Sequence, residues 1–266
     1  MLTFPNAKIN LGLNILGKRQ DGYHDIETCL YPIPLYDALE IIPASKFEFH
    51  CTGLKVNGTA SDNLSVKAYN LLNDEFDIPQ VKIHLHKVIP MGGGLGGGSS
   101  DGAFTLKTLN DLFDLRIPVN QLKGLAGSLG SDCPFFIENV PVIASGRGTD
   151  TKPIQVNLRG KYLVLFFPDI HISTQEAYAL TTPNHSAKSV RDILSQEVST
   201  WKDQLKNDFE GPIFEKHSKL SDIKKQLYNK GAIYAAMTGS GSTMFGIFDQ
   251  VTKLRGEQGW HIIELR

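Results

Sequence analysis

Residues 90–102 read PMGGGLGGGSSDG, and between Gly92 and Gly98 every residue except Leu95 is glycine. Ordering such a stretch is unfavourable, because glycine loses more backbone freedom on folding than any other residue. Its surroundings indicate what offsets that loss. VKIHLHKVIP comes before it, with Val81, Ile83 and Leu85 facing one way and Lys82, His84 and His86 the other, which is the period of a strand. SSDGAFTLKTLNDLF comes after it, with Ser99 and Ser100 as cap residues and Ala103, Leu106, Leu109 and Phe113 at helical spacing. The start of a helix exposes unpaired N–H groups and carries partial positive charge. Without side chains in the way, consecutive loop amides form a nest for an anion. The chemistry these residues suit is phosphate binding at a strand–loop–helix junction. A flexible linker is the competing reading, but linkers seldom join an alternating strand to a capped helix.

The type of phosphate loop is narrowed by what is missing. No lysine follows the last glycines, so GxxxxGK[ST] is absent. Gly92, Gly94 and Gly97 satisfy GxGxxG, a match that is nearly automatic in so glycine-dense a stretch. A dinucleotide site also needs an acidic residue at the end of a second strand about 20 residues on; Asp114 is near that distance but ends a helix.

The elements that must position this loop follow from periodicity. KINLGLNIL, from Lys8, alternates as a strand, and Asp21-Gly22 marks a turn. IETCLYPIPLYDALEIIP is interrupted by Pro32 and Pro34, which predicts an edge, a bend or two short strands. FEFHCTG predicts a strand, and Asn63 to Phe76 a helix capped by Asp62 or Asn63. Further on come a short helix over Gln121 to Leu129, a turn at GSDCPFFI, a strand and turn at PVIASGRGTD, and a buried strand from Lys161. The remainder predicts helices at Gln175 to Leu180 and between Ser189 and Asn229, strands IYAAM and STMFGIF, a short helix, and a last strand WHIIEL. Two helix–strand domains of the α+β class result, 1–155 and 156–266, divided in the polar stretch GTDTKPIQVNLRG.

Taken whole, Pro90, the glycine run and Ser99-Ser100 before a helix resemble the phosphate loop of the GHMP kinases, the superfamily of galactokinase, homoserine kinase and mevalonate kinase. NAKINLGL near the N-terminus resembles its first motif, and TGSGSTMFGIF, Thr238 to Phe248, resembles its third, a second glycine turn beside the phosphate loop. DGYH after the first strand, with GGGLGGGSSDG and GSDCPFF, resembles the members that phosphorylate the 2-hydroxyl of an alcohol bearing a cytidine diphosphate group, in non-mevalonate isoprenoid synthesis. The resemblance implies an N-terminal ribosomal-protein-S5-domain-2-like domain and a C-terminal ferredoxin-like α/β sandwich. Other acceptors within the superfamily, and a nucleotide-binding protein without transferase activity, are the alternatives.

The resemblance also implies roles. Asp132 matches the catalytic aspartate, which takes the acceptor's proton, and Lys8 matches its partner lysine. A lysine within an otherwise apolar alternation is unusual; it either snorkels to solvent or pairs with Asp132 and keeps that carboxylate ionised. Asp132 could alternatively cap the turn before Pro134. ATP would be held by Pro90, Gly92, Gly93, Gly94, Leu95, Gly96, Gly97, Gly98, Ser99 and Ser100. Asn63 and the Lys87 segment match adenine contacts, although an Asn before a helix is commonly a cap. Mg²⁺ would arrive with ATP, with Ser99 or Ser100 as ligand, or both hydroxyls capping the helix. For the cytidine-bearing substrate, Tyr23 matches a residue that stacks on the base and His24 one that bonds its polar edge. Asn10 matches one near the sugar alcohol, while Thr174 and Tyr178 match further contacts. Leu30, beside Tyr31, stands where the family often has a second aromatic wall.

Bulk properties agree with a small-molecule enzyme. The chain has 266 residues, 41% hydrophobic and 21% charged, with a net charge of −1, which disfavours disorder and a nucleic-acid partner. Cys29, Cys51 and Cys133 form no CxxC pair and predict reduced thiols rather than disulfides or a zinc site. The His84 and His86 pair lacks an evident third metal ligand and predicts a solvated face. No signal peptide or membrane span is evident, and a cytoplasmic enzyme is expected.

Overall fold

The computed structural model describes residues 1–183, 188–251 and 259–265. The chain divides into two compact units, neither of them continuous. The first comprises residues 1–8, 34–91 and 96–140; the second comprises 9–33, 92–95 and 141–266. The expected cut at 155/156 does not coincide with these units. The stretch expected as a polar linker contains a strand, Asp150–Pro153, that pairs with Val142–Gly146, which in turn pairs with the strand beginning at His24. A hydrogen-bonded ladder therefore carries residues 9–33 and 141–155 into the second unit.

In the first unit, strands β1 (Leu2–Thr3), β4 (Ala38–Pro43), β5 (Glu48–Gly53) and β6 (Val81–Lys87) form a sheet of order β1-β4-β6-β5, in which β6 is antiparallel to β4 and parallel to β5. Helices α1 (Leu64–Phe76), α2 (Gly97–Leu112), α3 (Val119–Leu129) and α4 (Cys133–Glu138) complete it. The expected alternation holds in β6: Val81, Ile83 and Leu85 have no exposed surface, and Lys87, two residues further along the same face, is buried with them. On the opposite face Thr52 Oγ1 lies 2.9 Å from His84 Nε2 and 3.0 Å from His86 Nδ1. Among the described residues no three His, Cys, Asp or Glu side chains gather as a metal site.

Two sheets build the second unit. One has the order β2-β3-β7-β8, from Asn6–Lys18, His24–Tyr36, Val142–Gly146 and Asp150–Pro153. Pro32 and Pro34 do not break β3 as expected. Its pairing with β7 ends at Leu30, so the N–H groups these prolines lack are missing from no bond on that side. The other sheet joins β9 (Tyr162–Phe166), β10 (Tyr234–Met237), β11 (Met244–Phe248) and β12 (Trp260–Glu264) in the order β10-β11-β9-β12, all antiparallel, which is the ferredoxin-like order. Helices α5 (Thr174–Leu180), α6 (Val190–Leu194), α7 (Trp201–Gln204), α8 (Glu210–Lys216) and α9 (Ser218–Asn229) accompany it. The apolar face of this sheet buries Ile172, Phe209, Ile213, Leu220, Leu227, Met237 and Phe248 together. The short helix expected between β11 and β12 lies outside the described residues. Where a turn was expected at GSDCPFFI, α4 begins at Cys133, with Pro134 in its first turn, where a missing N–H breaks no helical bond. No helix among the described residues is long and apolar enough to cross a membrane.

Candidate active site

In the first unit the glycine stretch leads directly into α2. Gly96 is its N-cap, at φ +71°, and Ser100 N–H donates to Gly96 O at 2.9 Å. Ser99 and Ser100 thus lie within the first turn and do not cap the helix as expected; the helix begins two residues earlier than the serines. Gly96 has no capping side chain and no acidic residue occupies the first turn, so the positive end of a 16-residue helix is left to a ligand. Gly96 also lies close to one catalytic candidate: a Cβ there would lie 3.2 Å from Lys8 Cε, and 3.0 Å from Phe136 Cζ.

Lys8 is 3% exposed, which excludes snorkelling. Its Nζ lies 3.4 Å from Asp132 Oδ2, a carboxylate whose side chain is 39% exposed. Asp132 occupies the N-cap position of α4, yet its side chain makes no capping hydrogen bond. The alternative reading of this carboxylate as a turn cap is thereby removed, and it faces the ammonium with one side open to solvent. Next to it, the thiol of Cys133 is pushed up to about 11 by burial, with the Ser99 side chain opposing that rise.

Other candidates in this unit have structural partners. Asn63 caps α1, its Oδ1 accepting from Ser65 N–H at 2.9 Å. Lys87 does not present its side chain to a ligand. Its ammonium, with no exposed side-chain surface, is held by the carboxylates of Asp37 and Asp101, the latter at 2.6 Å. Asp37 Oδ1 in turn accepts from the N–H groups of Val88 and Ile89. Burial works against the Lys87 ammonium, but the two carboxylates outweigh it and raise its pKa, while burial pushes Asp101 up to about 8 against the pull of Lys87. This cluster joins the last residue of β6 to α2, on either side of the glycine stretch, and takes up the N–H groups of Val88 and Ile89. Sequence reasoning missed it, although the period of β6 placed Lys87 on the buried face.

In the second unit, the other half of the glycine stretch is seated on the third motif. Gly94 has φ +77°, and a Cβ on it would lie 2.1 Å from the carbonyl oxygen of Thr238; one on Gly93 would lie 2.5 Å from Thr243 Oγ1. Both approaches require glycine. Thr238 Oγ1 accepts from Asn10 N–H at 3.0 Å and has the Gly94 carbonyl at 3.2 Å and Asn10 Oδ1 at 3.3 Å as acceptors. Asn10 Nδ2 donates to Thr28 Oγ1 at 3.0 Å. First and third motifs are thus in direct contact.

His24 and Tyr178 stack on each other, with centroids 4.8 Å apart and planes at 17°, and Phe209 meets Tyr178 edge-on. No base fits between rings so close. Tyr23 stands apart, 55% exposed, with the guanidinium of Arg147 3.7 Å from its ring centroid. Arg147, in the β7–β8 turn, was not anticipated; a glycine-flanked arginine carries no signal without a register to place it. Leu30 is 4% exposed and belongs to the core. Thr174 Oγ1 lies 3.3 Å from Ser240 Oγ, within the third motif's turn.

Residues 63–140 match the family model of the GHMP kinases N terminal domain, and residues 179–257 that of the GHMP kinases C terminal. The chain is 52% identical over 250 residues to the 4-diphosphocytidyl-2-C-methyl-D-erythritol kinase of Cytophaga hutchinsonii, covering 94% of this chain and 93% of that one. It is 50% identical over 261 residues to the enzyme of the same name from Bacteroides fragilis, covering 96% and 95%. A crystal structure of 4-(cytidine 5'-diphospho)-2C-methyl-D-erythritol kinase superposes with a TM-score of 0.81 at 32% identity, over 93% of this chain and 90% of that one. The mevalonate kinase of Methanococcus jannaschii shares the fold, with a TM-score of 0.74 at 15% identity over 100% and 98% of the two chains. The chain belongs to the GHMP kinase family and, within it, to the 4-diphosphocytidyl-2-C-methyl-D-erythritol kinases.

Proposed function

We propose that Asp132 is the general base, and Lys8 its cationic partner, in the transfer of the ATP γ-phosphoryl group to the 2-hydroxyl of 4-diphosphocytidyl-2-C-methyl-D-erythritol. The enzyme is an ATP-dependent kinase of non-mevalonate isoprenoid precursor synthesis. The observation that carries the residue assignment is the buried Lys8 ammonium 3.4 Å from a carboxylate that caps nothing and stays open to solvent.

Phosphoryl transfer needs positioning and charge stabilisation more than covalent chemistry. The amides at the start of α2 supply donors for the phosphate oxygens. Asp132 accepts the proton as the acceptor oxygen attacks, and Lys8 stabilises the negative charge on that oxygen. Mg²⁺ belongs to the same proposal. Ser99, half-buried in the first turn, is the residue proposed to hold it, and beside it Ser100 Oγ is buried without a partner among the described residues. Hydroxyl oxygens at a helix start suit a hard cation that arrives with ATP and keeps waters; when bound, it neutralises charge on the transferring group.

Cytosine is proposed to stack on Tyr23, whose ring is held by Arg147. Its polar edge is read by His24, whose plane is fixed by Tyr178 instead of the base lying between those two rings. Asn10 is proposed to lie near the alcohol end and Thr174 to contact the substrate, and the enzyme is proposed to act in the cytoplasm. A turnover panel with Mg-ATP tests the acceptor. The diphosphocytidyl alcohol is expected to be phosphorylated, mevalonate and homoserine not. Comparable turnover of either small alcohol would assign another acceptor, and ATP binding without any turnover would leave a nucleotide-binding protein.

A further inference from the structure

The segment Asn207-Asp208-Phe209-Glu210, just before and into α8, contains none of the candidate residues, yet it grips both motifs that line the glycine stretch in the second unit. Its backbone lies along β2: Leu13 N–H donates to Lys206 O at 2.8 Å, Asp208 N–H donates to Leu13 O at 2.9 Å, and Ile15 N–H donates to Asp208 Oδ2 at 2.8 Å. The side chains of Asn207 and Glu210 turn to the end of β10. Asn207, 3% exposed, donates both hydrogens of its carboxamide, to Met237 O at 2.8 Å and to Gly239 O at 2.9 Å, and its Oδ1 accepts from Phe209 N–H at 3.0 Å. Glu210 Oε1 accepts from Met237 N–H at 2.8 Å, while its other oxygen is held by Lys224.

The two carbonyls that Asn207 holds flank Thr238. Thr238 is the residue whose hydroxyl meets Asn10 and Gly94 and whose own carbonyl is in contact with the Gly94 backbone. Gly94 is two residues from Gly96, the N-cap of α2. No flexible side chain intervenes between Asn207 and Gly94, so a displacement of this turn becomes a displacement of the loop.

We infer that Asn207 is a positioning residue for nucleotide binding: its carboxamide fixes the turn at Thr238, and that turn sets the position of the glycine loop. The inference rests on the kinase reading above. A residue serving only the core would lower the melting temperature and leave the affinity of folded protein for nucleotide unchanged.

The test is a double-mutant cycle on full-length protein with Asn207→Ala and Thr238→Val, read out as the dissociation constant of a fluorescent ATP analogue, KM for ATP, kcat and melting temperature. Thr238→Ser, which keeps the hydroxyl, serves as the conservative control. Each single variant is expected to weaken the analogue and raise KM for ATP about tenfold, with kcat reduced less. The double variant is expected to be within about twofold of the worse single, because both act on one turn. Thr238→Ser should restore near-normal affinity. If Asn207→Ala fails to fold, Asn207→Ser, which keeps one donor, carries the same comparison with an intermediate loss. Unchanged nucleotide affinity in a folded Asn207 variant, or effects that multiply in the double variant, would overturn the inference. Failure of the wild type to bind the analogue or to phosphorylate the alcohol would instead overturn the kinase reading.

Discussion

The Lys8–Asp132 pair separates what a side chain does for folding from what it does for chemistry. Lys8 is buried, but its partner is 39% exposed, so a carboxylate left behind after loss of the ammonium remains hydrated, and the pair contributes little to stability. Lys8→Met is therefore expected to shift the unfolding free energy by under ~1 kcal/mol while lowering kcat. Asp132→Asn, with the proposed base removed, should lower kcat by about 10²–10⁴-fold, with the dissociation constant of an ATP analogue changed less than about threefold. Stopped-assay kinetics and thermal melts on the two variants check this; near-normal kcat in either would remove that residue from the mechanism. Lys8 was legible in the sequence because a charge among alternating apolar residues has to be explained. Asp132 was legible only through its motif, since an aspartate before Cys-Pro reads equally well as a cap. Lys87 shows a different limit. Its position on the buried face follows from period two, but its partners, Asp37 and Asp101, are 50 and 14 residues away, and no local pattern names them.

At the level of elements, strands and helices with uninterrupted periodicity came out as expected: β6, the helix after Asn63 and the strand from Lys161 are all in place. The misjudged elements have specific causes. Pro32 and Pro34 fall where β3 has finished pairing with β7, and α4 is only six residues long, too short for a periodic signal. Within the glycine loop, each glycine has a distinct reason that composition cannot separate. Gly94 combines φ +77° with a 2.1 Å approach to a backbone carbonyl, whereas a Cβ on Gly98 would meet only Met91 Cε at an ordinary 3.5 Å. Gly94→Ala is expected to destabilise the protein by roughly 2–3 kcal/mol through the left-handed backbone and the clash, and to lose ATP binding with it. Gly98→Ala lies in the first turn of α2, where alanine favours the helix by up to about 1 kcal/mol. Its melting temperature should hold or rise, while its methyl group covers amides proposed to face phosphate, so ATP-analogue affinity should fall. If Gly98→Ala kept full affinity, phosphate would not sit against that turn.

At the level of the whole chain, the two-domain α+β architecture was legible from the order of elements, but the pairing of β3 with β7, more than 100 residues further on, was not, because it is non-local. Electrostatics at this scale are set by a few buried groups and not by the net charge of −1. Burial raises the carboxyls of Asp101, Glu210 and Asp208, Asp101 to about 8, against opposing cations in each case. The carboxyls held below their ordinary range, such as Glu48, Asp21 and Glu176, are all partly exposed, so solvent screens the cations that lower them. A buried carboxyl with a raised pKa keeps its proton in the folded state over a range where the unfolded chain has released it near pH 4. The native protein then binds more protons than the unfolded one between roughly pH 4 and 8, and stability falls as pH rises through that window. Lys87 acts in the same direction at the alkaline end, since its raised pKa contributes stability that is present below about 10.5 and is lost above it. Melting temperatures measured from pH 5 to 9 should therefore be highest on the acid side of neutrality and decline toward pH 9. Asp101→Asn keeps an acceptor for Lys87 but has no proton to release, so its profile should be flatter over that range. A level wild-type profile, or an equal slope in the variant, would mean that solvent reaches the Asp37–Lys87–Asp101 cluster and stabilises the ionised carboxylate there.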